Sequence, residues 1–111
     1  MDKLTRYRDI IRRVLQDYAT WKPSSPQVRS EVIFDPILDH FELKYLGWDG
    51  PRRIHSSPFH LDLIDGKIWI QFDGTDRPIA EELVRAGVPK EDIVLAEKPP
   101  EVRPFTGYGV G

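Results

Sequence analysis

Four apolar runs with a two-residue alternation follow one another in the middle of the chain, and short turn signals separate them. This alternation is typical of strands that bury one face. Asp49-Gly50 and Asp65-Gly66 lie between neighbouring runs, and glycine accepts the positive φ that a tight hairpin requires. The pattern therefore predicts an antiparallel meander, with a bulge or an edge at Ser57-Pro58 in the third strand. The predicted strands cover residues 28–35, 39–48, 52–64 and 67–72.

An amphipathic helix is predicted before the strands, from Asp2 to about Thr20. Its apolar side chains recur at gaps of three and four residues, which places them on one face. These residues are Leu4, Tyr7, Ile10, Ile11, Val14, Leu15, Tyr18 and Trp21. Pro23 and Pro26 end the helix, because proline lacks the amide donor and restricts the residue before it.

A second helix is predicted after the fourth strand. Thr75 or Asp76 would cap it, and it would end at Gly87, because glycine suits the left-handed position after a helix. Residues 93–95 form either a fifth strand or a buried linker. The remaining residues, 97–111, are rich in proline and glycine, which predicts an irregular C-terminal arm.

The order of helix, strands and helix predicts an α+β fold in which helices cover one face of an antiparallel sheet of four or five strands. With 111 residues, of which 40% are hydrophobic and 31% charged, the chain has the composition of one domain spanning residues 1–111. The sequence contains no cysteine, which excludes disulfides, thiolate metal sites and a cysteine nucleophile. No apolar run is long enough for a signal peptide or a membrane span, so we expect a cytoplasmic protein.

The sheet face opposite the helices carries the residues of greatest functional interest. If Phe59, Leu61 and Leu63 point to the core, His60 and Asp62 point outward.

The neighbouring strands add tryptophans to this face. Trp69 points outward if its apolar neighbours point inward, and Trp48 shares the same face. The neighbours predicted to point inward are Ile68, Ile70 and Phe72. Tryptophans beside a histidine and an aspartate on an uncovered sheet favour a partner surface or a homo-oligomer, with a dimer preferred.

The C-terminal arm supplies further interface candidates. Arg103 presents five donors in a rigid fork, and Phe105 and Tyr108 offer large contact areas. Such an arm either binds a partner or packs on its own domain through Val102, Phe105 and Tyr108. The complete candidate interface is Trp48, His60, Asp62, Trp69, Arg103, Phe105 and Tyr108.

Several motifs in the second half of the chain carry a family resemblance. They are His60-Leu61-Asp62, Asp65-Gly66-Lys67-Ile68-Trp69-Ile70-Gln71, Gly87-Val88-Pro89-Lys90-Glu91-Asp92-Ile93-Val94-Leu95 and Pro99-Pro100-Glu101-Val102-Arg103-Pro104-Phe105-Thr106-Gly107-Tyr108. With these motifs, and with Tyr7-Arg8-Asp9-Ile10-Ile11 in the first half, the chain resembles the XisI family, the fdxN-element excision controlling factors of cyanobacteria. The resemblance implies a non-enzymatic accessory protein for programmed DNA excision. It also implies a XisH-like partner that resembles a nuclease-fold protein.

A metal-dependent nuclease or phosphodiesterase is an alternative function. Asp35, Glu42 and Lys44 have residue types found in nuclease centres, where acids hold Mg²⁺ and lysine stabilises charge. The same Glu-x-Lys alternation is ordinary on the solvent face of a strand, and this second interpretation is favoured.

Histidines offer another route to metal or acid-base chemistry. His55, His60 and Asp62 could supply ligands, and His40 could join them only if the fold brought it near. A hydrogen-bonded pair in an interface explains His60 and Asp62 equally well. No catalytic residue, metal ligand or cofactor is therefore assigned.

Direct DNA binding is the remaining alternative. The first helix carries Arg6, Arg8, Arg12 and Arg13, which could contact phosphates. However, 16 Lys and Arg residues against 18 Asp and Glu residues give a net charge of −2, which provides no overall attraction to nucleic acid. Contact with DNA is therefore expected to be indirect at most.

Overall fold

The computed structural model describes residues 2–20, 26–75 and 78–111. These residues form two α-helices and five strands, and both helices pack on one face of a single sheet. The bounds are α1 (Lys3–Ala19), β1 (Val28–Asp35), β2 (His40–Asp49), β3 (Arg52–Ile64), β4 (Lys67–Asp73), α2 (Ile79–Arg85) and β5 (Ile93–Leu95). The predicted α+β fold is confirmed. Trp21, Pro23 and Asp76, which have predicted roles, lie outside the described residues.

The strand order is β1-β2-β3-β4-β5, and the first four strands form the predicted antiparallel meander. β5 runs parallel to β4, with Ile93 opposite Ile68, whereas the prediction for a fifth strand was antiparallel. The physical reason is α2, which lies between β4 and β5 in sequence and returns the chain to the end of the sheet where β4 begins. The sheet is therefore mixed.

α1 begins after Asp2, whose Oδ1 accepts a hydrogen bond from the Thr5 amide at 2.9 Å and so caps the helix. The predicted apolar face is buried, apart from Leu4, which is exposed in the first turn. The buried residues are Tyr7, Ile10, Ile11, Val14, Leu15 and Tyr18. The amphipathic pattern thus determines which side of α1 faces the sheet.

α2 is held at its start by a residue of β4. One carboxylate oxygen of Asp73 accepts a hydrogen bond from the Ile79 amide at 2.9 Å, and the other accepts one from the Thr75 amide at 3.1 Å. Pro78 occupies the N-cap position without a side-chain hydrogen bond, so the predicted cap at Thr75 is wrong. The predicted end at Gly87 is confirmed, since this residue follows the last turn with a φ of 109°.

The core lies between the helices and the inner face of the sheet. Phe41, Phe59 and Leu61 are fully buried on the sheet side, and Ile11 and Leu83 are fully buried on the helix side. Burial of one such side chain contributes roughly 1.5–3 kcal/mol to folding. Neither helix within the described residues packs on the opposite face of the sheet. Neither of these helices is long and apolar enough to cross a membrane.

The C-terminal arm, residues 97–111, packs beside β5 on its own domain. The Gly109 amide donates a hydrogen bond to the Ile93 carbonyl at 2.7 Å. Tyr108 is half-buried against the core, but Phe105 is 87% exposed. The arm is therefore held by main-chain contact at Gly109 and by Tyr108. The predicted packing of Phe105 is wrong, and so is that of Val102, which is 40% exposed.

Candidate functional site

The outer face of the sheet, defined as the face without a helix, is arranged in rows of cross-strand neighbours. The first row contains Asp35, His40, Asp62 and Trp69, one from each of β1 to β4. The next row contains Ile33, Glu42, His60 and Phe72. Side chains opposite each other on adjacent antiparallel strands are close enough to interact. The two rows therefore bring two histidines and an aspartate together near the β1–β2 turn.

An irregularity in β3 decides which of its side chains share this face. The pairing shifts from Leu43 opposite Phe59 to Tyr45 opposite Ser56, so β3 has one extra residue between these pairs. This is the bulge predicted at Ser57-Pro58. Beyond it, the alternation of inward and outward side chains in β3 is reversed.

A second irregularity lies in β4 at Gln71. The pairing passes from His60 opposite Phe72 to Leu61 opposite Ile70, so β4 has one extra residue there. Phe72 consequently lies on the outer face beside His60 and is 47% exposed. The prediction that Phe72 points inward is wrong, because strict alternation fails at a bulge.

His40, His60 and Asp62 form a compact polar cluster on the outer face. His40 Nδ1 and His60 Nε2 donate hydrogen bonds to the same oxygen, Asp62 Oδ1, at 2.5 and 2.9 Å. Asp62 Oδ2 accepts a third hydrogen bond from the side-chain amide of Gln71 at 3.1 Å. Asp62 is only 6% exposed, and these three bonds compensate for the burial of its carboxylate.

The surroundings of His40 favour the positively charged form of its imidazole. The hydrogen bond to Asp62 raises the pKa of His40, and the negative charges of Asp62, Asp35 and Glu42 act in the same direction, whereas burial acts against them. The His40 side chain is 46% exposed, so solvent and ions reach it from the outer face.

His55, which the sequence grouped with His60 and Asp62, lies elsewhere. It is exposed and pairs with Leu46, on the other side of the β3 bulge. His40 joins the cluster instead, because the register of β2 and β3 sets it directly opposite Asp62. The structure thus brings His40 and His60 together and leaves His55 apart.

The β2–β3 turn and the β3 bulge together determine the cross-strand partner of His40. A regular hairpin with Asp49 opposite Arg52 would pair His40 with Leu61. One extra residue in β3 moves that partner by one position, to Asp62. The Asp49-Gly50 turn and Ser57-Pro58 are thus the sequence signals for this pairing, but the sequence left a bulge or an edge open at Ser57-Pro58, so the structure decides that His40 faces Asp62.

Asp35, Glu42 and Lys44 all lie on the outer face, but their charges are engaged in other contacts. Asp35 Oδ1 accepts hydrogen bonds from two amides of the β1–β2 turn at 2.9 and 3.2 Å. Lys44 Nζ lies 3.2 Å from Glu42 Oε2 and donates to Ser57 Oγ at 2.8 Å. Glu42 and Lys44 therefore form an ion pair on the solvent face of β2, which explains the Glu-x-Lys alternation without a nuclease centre.

Trp48 and Trp69 have different surroundings on the outer face. Trp48 is 47% exposed near the end of β2, with the Arg53 guanidinium 5.6 Å from its ring centroid. Trp69 is half-buried beneath the arm, where the Arg103 guanidinium lies 5.2 Å from its ring centroid and donates to the Lys98 carbonyl at 3.0 Å. Arg103 therefore fastens the arm over Trp69, while Trp48 remains accessible.

Three arginines of α1 make contacts within the chain. Arg8 donates two hydrogen bonds to the Asp39 carboxylate, at 2.8 and 3.1 Å. Arg6 donates to a main-chain carbonyl after α2 at 2.9 Å, and the Arg12 guanidinium lies 5.2 Å from the ring centroid of Phe34. These contacts engage three of the four arginines of α1, although Arg12 and Arg13 are exposed to solvent.

Comparison with known proteins gives matches along nearly the whole chain. The sequence model of the family described as XisI protein matches residues 1–110. A solved structure of a XisI-like protein from Anabaena variabilis ATCC 29413 has 42% identity and a TM-score of 0.89, covering 97% of this chain and 99% of that one. The fdxN element excision controlling factor XisI from the same organism has 34% identity and a TM-score of 0.80, covering 99% of this chain and 100% of that one. No curated protein gives a significant match.

Proposed function

Because this chain belongs to the XisI family, we propose that it controls the excision of a DNA element through protein-protein contacts, without cleaving DNA itself. The observation that carries the proposal is the similarity along the whole chain to an fdxN element excision controlling factor. The proposed partner is a XisH-like protein of the nuclease fold, whose active site this chain would complete or mask. We propose a cytoplasmic location for this role, because the DNA is there.

The outer face of the sheet is the proposed docking surface. Ile33 and Phe72 are 42% and 47% exposed in the row of Glu42, and Trp48 is 47% exposed further along β2, with half-buried Leu46 two residues before it on the same face. Exposed aromatic and aliphatic side chains on one face of a sheet are typical of protein interfaces. Tryptophan is among the residues that contribute most to binding free energy. Trp48 is therefore the proposed anchor.

The charge of the chain supports a protein partner rather than DNA. Acidic residues outnumber basic ones, 18 to 16, and Arg6, Arg8 and Arg12 are engaged in contacts within the chain. Tight binding to phosphates requires several available cations. A partner that itself binds DNA is expected to present a basic surface, to which an acidic chain is complementary.

The proposal is tested by co-expression with a XisH-like protein, affinity capture and a measurement of mass in solution. Trp48→Ala should weaken the complex by about 30-fold or more if Trp48 is an anchor. Leu4→Ala is the matched control, because Leu4 is 39% exposed but lies on α1, on the other side of the sheet. The control should bind as the wild type does. Phe105→Ala measures the contribution of the arm separately.

Each result has a distinct meaning. If the two proteins do not associate at micromolar concentrations, the proposed partner is refuted. If Trp48→Ala binds as tightly as the wild type, the docking surface is refuted and the partner is retained. A homodimer of this chain alone that Trp48→Ala dissociates would mean that the same face pairs two copies.

A further inference from the structure

We propose that His40, His60 and Asp62 bind a divalent transition-metal ion, and that Zn²⁺ is the best match to their donor atoms. The ligand atoms of the three residues all lie within 4.8 Å of one another. Two imidazoles and a carboxylate are a recurrent zinc ligand set, in which the fourth position is taken by water or another group. The site requires only this chain, so it is independent of the proposed partner.

The distances in the cluster allow a cation to enter by small side-chain movements. In a tetrahedral zinc site with bonds of about 2.0–2.2 Å, neighbouring donor atoms lie roughly 3.3–3.5 Å apart. His40 Nδ1 and His60 Nε2 lie 2.5 and 2.9 Å from Asp62 Oδ1. Each nitrogen must therefore move away from that oxygen by about 1 Å or less, and the two nitrogens must approach each other by at most about 1.5 Å. Side-chain torsions can supply these shifts.

The sheet holds the three donors in place. His40 and Asp62 are direct neighbours across β2 and β3, and His60 precedes Asp62 by two residues on the same face. Phe41 and Leu61, which alternate with these donors along the two strands, are fully buried in the core. The backbone beneath the cluster is thus anchored from the other side of the sheet, and donors on packed strands keep their geometry better than donors on loops.

A polar partner and two further carboxylates support the site. Gln71 donates a hydrogen bond to Asp62 Oδ2 and so leaves Oδ1 facing the histidines. Hydrogen bonds of this kind commonly orient a ligating carboxylate. Asp35 and Glu42 are neighbours of the two histidines in their rows and add negative charge, part of which Lys44 offsets through its ion pair with Glu42. A divalent cation would offset this concentration of carboxylates.

The donor types select among cations. Imidazole nitrogen suits zinc, copper and nickel, whereas magnesium and calcium prefer sites built from oxygen. Solvent reaches the site, because the side chains of His40 and His60 are 46% and 35% exposed. We therefore expect zinc to bind, and magnesium at the same concentration not to bind.

Calorimetric titration of chelator-treated protein with zinc chloride tests the site. The wild type should bind one ion per chain with a Kd of about 1 µM or tighter. His40→Ala and His60→Ala should each weaken binding by more than about 10-fold. His55→Ala is the matched control, since His55 is an exposed histidine outside the cluster, and it should bind zinc as the wild type does. Circular dichroism verifies that each variant is folded.

Three outcomes would overturn the site. The first is a wild-type Kd weaker than the expected value of about 1 µM. The second is unchanged zinc affinity in folded His40→Ala and His60→Ala. The third is an equal loss in His55→Ala, because zinc would then be held by exposed histidines in general. The two half-exposed histidines are preferred over the buried Asp62 as test positions, since their replacement disturbs the fold less.

Discussion

Tyr7→Phe removes one hydroxyl that joins α1 to the segment before β5. The Tyr7 hydroxyl donates to Asp92 Oδ2 at 2.5 Å, and Lys3 Nζ lies 3.0 Å from the same oxygen. Tyr7 is 2% exposed and the Asp92 side chain is 15% exposed, so solvent replaces the lost bond poorly. A hydrogen bond to a charged group contributes roughly 1.5–3 kcal/mol, and the free energy of unfolding at pH 7 should fall by that amount.

The pKa values of the two partners define the pH range in which this bond contributes. Burial acts to raise the pKa of Asp92, but the hydrogen bonds from Tyr7 and Lys3 outweigh it and hold this pKa below 3.8. Stability from a lowered carboxyl pKa is complete above the unfolded pKa of about 3.9 and is lost as the pH falls through the folded value. Burial, together with the bond to Asp92, raises the pKa of Tyr7 to about 12. That contribution is complete below about pH 10 and is lost as the pH rises further.

Urea unfolding of the wild type and of Tyr7→Phe, followed by circular dichroism between pH 7 and pH 2.5, measures the effect. The difference between the two proteins should shrink below about pH 4 towards the roughly 0.5–1.5 kcal/mol of a neutral hydrogen bond. Tyr108→Phe is the matched control, because Tyr108 is half-buried and its hydroxyl makes no hydrogen bond within the described residues. A loss that does not change with pH, or one below about 0.5 kcal/mol at pH 7, would refute the reasoning.

Three further changes test the core and the arm. Leu61→Ala should lower the free energy of unfolding, measured by urea titration, by about 2–5 kcal/mol, because Leu61 is fully buried. A loss below about 1 kcal/mol would contradict this. Gly109→Ala should detach the arm and speed its cleavage by chymotrypsin, because the new Cβ would lie 2.4 Å from the Glu91 carbonyl oxygen. Arg103→Ala should increase acrylamide quenching of Trp69 fluorescence when the other tryptophans are replaced, because the guanidinium lies 5.2 Å from its ring centroid. Unchanged cleavage or quenching would mean that these contacts do not hold the arm.

The local pattern of the sequence was enough to predict the helices and the four long strands. The predicted strand bounds lie within one residue of the observed ones, and the apolar stripe of α1 is its buried face. These features depend on the spacing of apolar residues over short distances and on turn residues such as Gly87. The family resemblance also follows from the order of residues alone, and the comparison with the XisI family confirms it.

Only the tertiary structure decided which distant residues meet. The bulge at Gln71 turned Phe72 to the outer face, and the bulge in β3 set His40 opposite Asp62. The path of α2 made β5 parallel, and the arm was placed on its own domain. Each of these outcomes depends on pairing register, in which one extra residue exchanges the two faces of a strand and changes every partner beyond it. Periodicity describes a strand by itself, whereas register is a property of two strands together.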